Sequence, residues 1–244
     1  MTVANNEYPK ASNATLIGAS ITYVAGLFLL LSFASPYWIE SYPEMFSSFK
    51  HMGLWEYCFD RFRFPSYQFD KLFHGCHYVF SQEYYVIREW ILPGWLMSVQ
   101  AFVTLALIFS FATQIVLACV IVRWPLRLVL QYEWTFVTIS FTMLIISNVF
   151  LFLAVAIFGG NCYRRDWLLY PSFNVLSWSY AFAVIACILF GVAGILLYLE
   201  SRKLYELRSE ARNLVGQMQH SQPEHALHQL RNQLQQQRSI GWNA

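Results

Sequence analysis

The stretch on which the reading turns runs Trp38, then Gly53-Leu54-Trp55-Glu56-Tyr57-Cys58, then Cys76. Fourteen residues separate Trp38 from Gly53, two separate Trp55 from Cys58, and 17 separate the cysteines. All of it lies within Pro36 to Gly94, a 59-residue interval bounded on both sides by long uncharged apolar windows. Such an interval is too long for a simple connector and too short for a large independent domain, so it carries structure of its own. Aromatic residues alternate with polar or smaller ones in Phe62-Arg63-Phe64, Tyr67-Gln68-Phe69 and Tyr78-Val79-Phe80. That period of two predicts a small antiparallel sheet.

The flanks of the interval are two of four windows, Thr15 to Ser35, Trp95 to Val122, Thr135 to Phe158 and Asn174 to Leu199, none of which contains Asp, Glu, Lys, Arg or His. Each reaches the roughly 20 apolar residues that cross a bilayer core. Only 12% of the chain is charged, about half the share in an ordinary soluble domain, so lipid is the expected solvent. The organisation that follows is an N-terminal segment (1–14), a first span (15–35), the long loop (36–94), a second span (95–122), a short connection (123–134), a third span (135–158), a second loop (159–173), a fourth span (174–199) and a tail (200–244). An even number of spans leaves both termini on one side. Arg202, Lys203, Arg208 and Arg212, directly after the last span, favour the cytoplasm for that side, which puts loops 36–94 and 159–173 outside. The first window reads as a retained span, being longer than a secretory h-region and preceded by one basic residue, Lys10.

Pro125 predicts a tight turn between the second and third helices, Gly159-Gly160 ends the third, and Tyr170-Pro171 makes an extended or turn element before the fourth. Leu204, Leu207, Ala211, Leu214 and Met218 share one helical face, so the fourth helix is expected to continue beyond the membrane. Past Pro223 the chain is Gln-rich and reads as a frayed, solvated tail, with Leu227, Leu230 and Leu234 repeating the spacing weakly. Small residues four apart, Gly18, Thr22 and Gly26 in the first span and Ala183, Cys187 and Gly191 in the fourth, permit close helix contact. Gln100, Gln114 and Asn148 are expected to hydrogen-bond between helices.

Taken together, Trp38, Gly53, Leu54, Trp55, Cys58 and Cys76 resemble the signature of the claudin superfamily, and the resemblance extends over roughly Thr15 to Leu199. Gln100-Ala101, Trp167 to Pro171 and Leu176-Ser177-Trp178-Ser179 are similar to further family features, although Val103 stands where an Arg often follows. The resemblance implies a left-handed four-helix transmembrane bundle carrying a small antiparallel β-sheet formed by the extracellular loops. It also implies a disulfide between Cys58 and Cys76, an effect of roughly 3 kcal/mol for a loop of this size. Trp38 and Trp55 are amphipathic rings suited to the bilayer interface, where they would seat the sheet on the helix ends. Gly53 permits a close approach that a side chain would block.

Three departures narrow the likeness. The cysteine spacing is longer than in typical vertebrate claudins, the chain ends Gly241-Trp242-Asn243-Ala244 with no PDZ-type ligand evident, and Cys162 adds an unpaired thiol in the second loop. These features look more like the arthropod septate-junction claudin-like proteins of the Pasiflora type. What that implies is a plasma-membrane component of an epithelial septate junction, contributing to the paracellular barrier. Its expected partners are other junctional membrane proteins in the same and opposing membranes, further copies of itself and the lipid bilayer, with no nucleic acid. The hairpin from Phe59 to Gly75, with Phe62, Phe64, Tyr67 and Phe69, together with Trp167 and Tyr170, is the expected contact surface. The rival reading is an auxiliary or trafficking subunit of another membrane protein such as a channel, since such members share the plan.

Nothing in the sequence points to an enzyme. It has no Cys-x-x-Cys, Gly-x-Ser-x-Gly, His-Glu-x-x-His or phosphate loop, and no catalytic, cofactor-binding or metal-binding residue is assigned. His74, Cys76 and His77 are adjacent enough to suggest a metal, but the implied disulfide takes Cys76 and two histidines are too few for a closed zinc site. The spans lack the ionisable residues that mark ion and proton paths.

Overall fold

A computed structural model describes residues 11–64, 71–168 and 170–240. Helix α1 (Asn13–Ala34) begins where the Ser12 hydroxyl accepts from the Ala14 amide at 3.2 Å and ends at Ser35, which is extended and leads into Pro36. Strands β1 (Ile39–Ser41), β2 (Phe49–Met52), β3 (Glu56–Arg63) and β4 (Leu72–Tyr78) follow, then a single turn α2 (Arg88–Ile91). Helices α3 (Gly94–Val122) and α4 (Leu126–Asn161), strand β5 (Asn174–Leu176) and helix α5 (Trp178–Ile240) complete the order. Four of these helices, α1, α3, α4 and α5, are long and apolar enough to cross a membrane.

The membrane helices are apolar on every side because both of their surroundings are apolar. On α1 the inward stripe is Gly18, Ala19, Thr22, Ala25, Gly26 and Leu29, while Ile17, Val24, Leu27 and Leu31 face out. Small residues occupy the inward side because packing there is decided by how closely backbones approach. A Cβ on Gly26 would collide with the Gln114 amide of α3, and one on Gly18 would press to 3.2 Å on Leu197 of α5. Several buried hydroxyls bond within their own helices, Thr22 on Gly18 O, Thr113 on Phe109 O and Ser140 on Phe136 O, or across helices, as where Ser147 donates to Ala106 O at 2.7 Å, while among the described residues Ser32 Oγ and Ser179 Oγ are buried without a partner.

The expected pairing of polar residues between spans takes another form. Gln100 donates to the Leu54 carbonyl of the first loop, tying α3 to the sheet, and Gln114 donates to Ser110 of its own helix. Gln114 joins α1 through its backbone, which accepts from Tyr23 at 2.8 Å, and among the described residues Asn148 Oδ1 is buried without a partner.

The sheet has five strands in the order β4-β3-β2-β1-β5, every neighbouring pair antiparallel. Its fifth strand corrects the expected start of the fourth span. Residues 174–176 are apolar enough to extend that window, yet they lie along β1 with Ile39 opposite Leu176 and Ser41 opposite Asn174. The free edge of β1 offers them backbone partners that a helix end would not. Ser177 N then donates to Trp38 O at 3.0 Å and α5 starts at Trp178.

The connection expected over 123–134 is also reduced. Arg123 turns left-handed to stop α3, Pro125 stands at the N-cap of α4, and the helix begins at Leu126 with a break at Tyr132. Proline there loses nothing, since the first amides of a helix have no partner within it. Arg123 and Glu133, at 2.9 Å, clamp the two helices where they meet.

The chain forms two compact units, Met1–Glu200 and Ser201–Ala244. Within the second, the helix persists to Ile240, past the point at which composition predicts fraying, and Leu207, Leu214 and Val215 are exposed.

Candidate functional site

The sheet meets the helix ends through the quoted sequence. Trp38 is fully buried; its indole donates to Ser32 O at 2.8 Å, and its ring stands edge-on to Phe158 of α4 and Tyr180 of α5, with centroids 4.8 and 5.8 Å away. The ring joins the sheet to the helix ends from within the protein, with none of its surface left open to lipid. Carbonyls of the last helical turn lack partners within the helix, and Ser32 O satisfies the indole internally, so the whole ring is free to pack. Trp55 is half-buried, edge-on to Phe33 of α1 at 5.2 Å, and its carbonyl accepts from Val79 N at 2.8 Å.

Gly53 donates to Glu56 O at 2.9 Å and is buried against the link between α1 and β1. A Cβ there would come within 2.6 Å of Pro36 Cα and collide with the Ser35 carbonyl oxygen. Leu54 is fully buried. The Gly-Leu-Trp run therefore fastens the β2–β3 turn to α1 by backbone approach and to α3 by the Gln100 hydrogen bond.

Cys58 and Cys76 sit directly opposite each other on β3 and β4 and form a disulfide, Cα to Cα 4.0 Å. His51 lies in register beside Cys58 on β2, so one ring nitrogen and the two sulfurs fall within 4.8 Å of one another. With both sulfurs in the bond, no thiolate is there to ligate a metal. His74 lies 3.4 Å from Asp60, and His77 Nε2 lies 3.1 Å from His74 O.

The opposite face of the sheet buries Phe49, Tyr57, Phe59, Phe62 and Phe73. Tyr57 donates to Ile91 O, and Tyr84 donates to Tyr57 O at 2.9 Å. Burial raises both phenols above their usual range, because the phenolate would have no water.

Two of the expected contact residues are consequently corrected. Phe62 is stacked on Phe59 (4.8 Å) and Trp90 (5.6 Å), and Trp167 is 2% exposed with its indole on Ile91 O at 3.2 Å. Alternation tells which residues share a face but not which face is covered, and α2 with Trp90 covers this one. Phe64 is half-buried against Trp90 at 5.2 Å. Tyr170 is 67% exposed. Tyr67 and Phe69 lie outside the described residues.

An exposed surface that the sequence reading missed lies between β1 and β2. Phe46 is 92% exposed with φ +46, a left-handed conformation costly for a bulky side chain, and Tyr42 and Met45 beside it are also exposed. The apolar residues of Tyr42-Pro43-Glu44-Met45-Phe46 fit neither strand nor helix period, and that is the signal that could have found them. Tyr42 N donates to Phe173 O at 3.1 Å, which joins this turn to the second loop. There Tyr163, Arg165, Tyr170, Pro171, Ser172 and Phe173 line a cleft of about 620 Å³. Arg164 holds Asp166 at 2.7 Å and keeps its carboxyl below the usual range. Cys162 is buried, its thiol on Gly159 O at 3.2 Å, and burial pushes its pKa up, which disfavours the thiolate.

A search of curated proteins finds no match. A family model described as PMP-22/EMP/MP20/Claudin tight junction matches residues 23–199. The match takes in all five strands and more than half of the chain, and the chain accordingly belongs to the PMP-22/EMP/MP20/claudin tight junction family.

Proposed function

We propose that this claudin-family protein is a structural component of an occluding, septate-type junction between epithelial cells, with both termini cytoplasmic and the sheet outside, and that it helps to obstruct diffusion between cells. The observation that carries this reading is the exposed apolar surface of Tyr42, Met45 and Phe46, next to Tyr170 and Phe173 of the second loop. A contiguous apolar surface on a rigid, disulfide-tied sheet is suited to burial against another protein. The strained backbone at Phe46 adds support, because a bulky residue held in the left-handed region tends to persist where its placement is used. The long cysteine spacing favours the septate type. The partners are other junctional membrane proteins and further copies of this chain, and the role is not enzymatic.

The test is depletion in a polarised epithelium, with immunolocalisation and a tracer that ordinarily stays on one side. The expected result is label at lateral contacts and tracer leakage on depletion. Wild-type protein restores exclusion, whereas Phe46→Ser reaches the contacts without restoring it. Absence from contacts with normal exclusion sinks the reading. Co-purification with a single channel, together with an intact barrier, would favour an auxiliary subunit.

A further inference from the structure

Three side chains able to ligate a soft metal meet on one face of the sheet. His51 of β2, Cys58 of β3 and Cys76 of β4 form a row across neighbouring strands, His51 opposite Cys58 and Cys58 opposite Cys76. One nitrogen of the imidazole and the two sulfurs all lie within 4.8 Å of one another, and among the described residues no other three His, Cys, Asp or Glu side chains are grouped in this way. A tetrahedral zinc ion, bound at about 2.0–2.1 Å by nitrogen and about 2.3 Å by sulfur, sets its ligand atoms roughly 3.5–3.8 Å apart. The Cα atoms of Cys58 and Cys76 stand 4.0 Å apart, so with the bond open a change of χ1 rotamer parts the sulfurs to that distance while the backbone stays in place.

The imidazole is already fixed. Its Nδ1 lies 3.0 Å from the Pro36 carbonyl, a contact in which the nitrogen donates, and the ring stacks on Tyr37 with centroids 4.2 Å apart. Donation from Nδ1 leaves the ring's lone pair on Nε2. Metal-ligating histidines are characteristically held in this way, a carbonyl on one nitrogen setting the tautomer and the ring orientation for the other. Solvent reaches the row from its outer end, because Cys76 is exposed and His51 half-buried, while Cys58 is buried.

The disulfide occupies both sulfurs, so any metal belongs to the dithiol. That form exists in a new chain before oxidation. It also follows attack by an external dithiol, which gives two electrons and two protons to the pair and itself becomes a disulfide. We propose that in the dithiol form His51, Cys58 and Cys76 bind a zinc ion, each thiol releasing its proton to solvent, with water in the fourth position. The ion joins β2, β3 and β4 where the disulfide joins β3 and β4 alone, and the outer strand stays attached in either state of the cysteines. The inference does not depend on the junction reading, since it concerns the sheet itself.

The test uses full-length protein in detergent, reduced with a phosphine that is then removed, and kept free of air, with Co²⁺ as the spectroscopic probe and Zn²⁺ as competitor. Reduced wild type is expected to take up one Co²⁺ per chain, with thiolate-to-cobalt charge transfer and the intense visible bands of a tetrahedral site, and to lose both signals to an equal amount of Zn²⁺. The oxidised protein, which keeps the thiols of Cys119, Cys162 and Cys187, is expected to show neither. His51→Ala lowers the Co²⁺ affinity of the reduced protein at least about tenfold. His51→Gln, closer in shape, repeats the measurement should the alanine variant misfold, with folding read from re-formation of the disulfide in air. As a second readout, Zn²⁺ slows protease cleavage within β4 of the reduced wild type. No Co²⁺ uptake by reduced wild type, equal uptake by the oxidised protein, or undiminished affinity in a folded His51 variant overturns the proposal.

Discussion

A methyl group at position 53 would meet backbone atoms of Ser35 and Pro36, and backbone cannot step aside as a flexible side-chain end can. Gly53→Ala is therefore expected to cost roughly 1–3 kcal/mol, the range for overpacking a well-filled site, measured as a lowered unfolding temperature in detergent. An unchanged midpoint would mean that the link between α1 and β1 yields freely. The buried phenols give a second prediction. The folded-state pKa values of Tyr57 and Tyr84 are raised above the ordinary 10.0, so the fold favours the neutral form. Their stabilising contribution is complete below about pH 10 and is lost as pH climbs through the raised values. Thermal stability should stay level up to that point and then fall together with the appearance of phenolate absorbance. Two phenolates at the ordinary pH in a protein still folded would contradict their burial. At this scale the sequence was legible where chemistry is local. Gly53 and the cysteine pair could be read from their motif, whereas Trp38 could not be told from an interfacial ring, because its burial depends on a carbonyl at the end of α1 and on rings from α4 and α5.

Among the elements, β3 and β4 carry the disulfide, and β4 is the outer strand on that side of the sheet. An edge strand of seven residues has a partner on one side only, so the covalent tie acts where the sheet is most open to fraying. Cys58→Ser is expected to lose roughly 3 kcal/mol, seen as early protease cleavage within β4 while the helices stay protected. Equal cleavage of the wild type and the variant would show that the aromatic face holds β4 unaided. Helices were readable in sequence because a bilayer demands long uncharged runs, and only such runs. Their ends were less so: residues 126–134 joined α4, where Glu133 meets Arg123 of the same connection, and residues 174–176 became a strand through β1, a partner remote in sequence. Hydropathy cannot separate an apolar strand from the first turn of an apolar helix.

For the molecule as a whole, the alternation in the long loop announced a sheet without saying which of its faces would be covered. That is why Phe62 was expected on the surface and Phe46 was overlooked. The four spans and a sheet were evident from windows and spacing, but the sheet's membership among the described residues was not, since its last strand in the chain follows the second loop. This membership has a bearing on biosynthesis. Strand β5 lies beyond α3 and α4 in the chain, so β1 has one edge unpaired while two hydrophobic segments are still being threaded into the bilayer. An open strand edge is a template for unwanted pairing. Closure of the sheet by residues 174–176 therefore comes only after the segments that precede them in the chain have been synthesised.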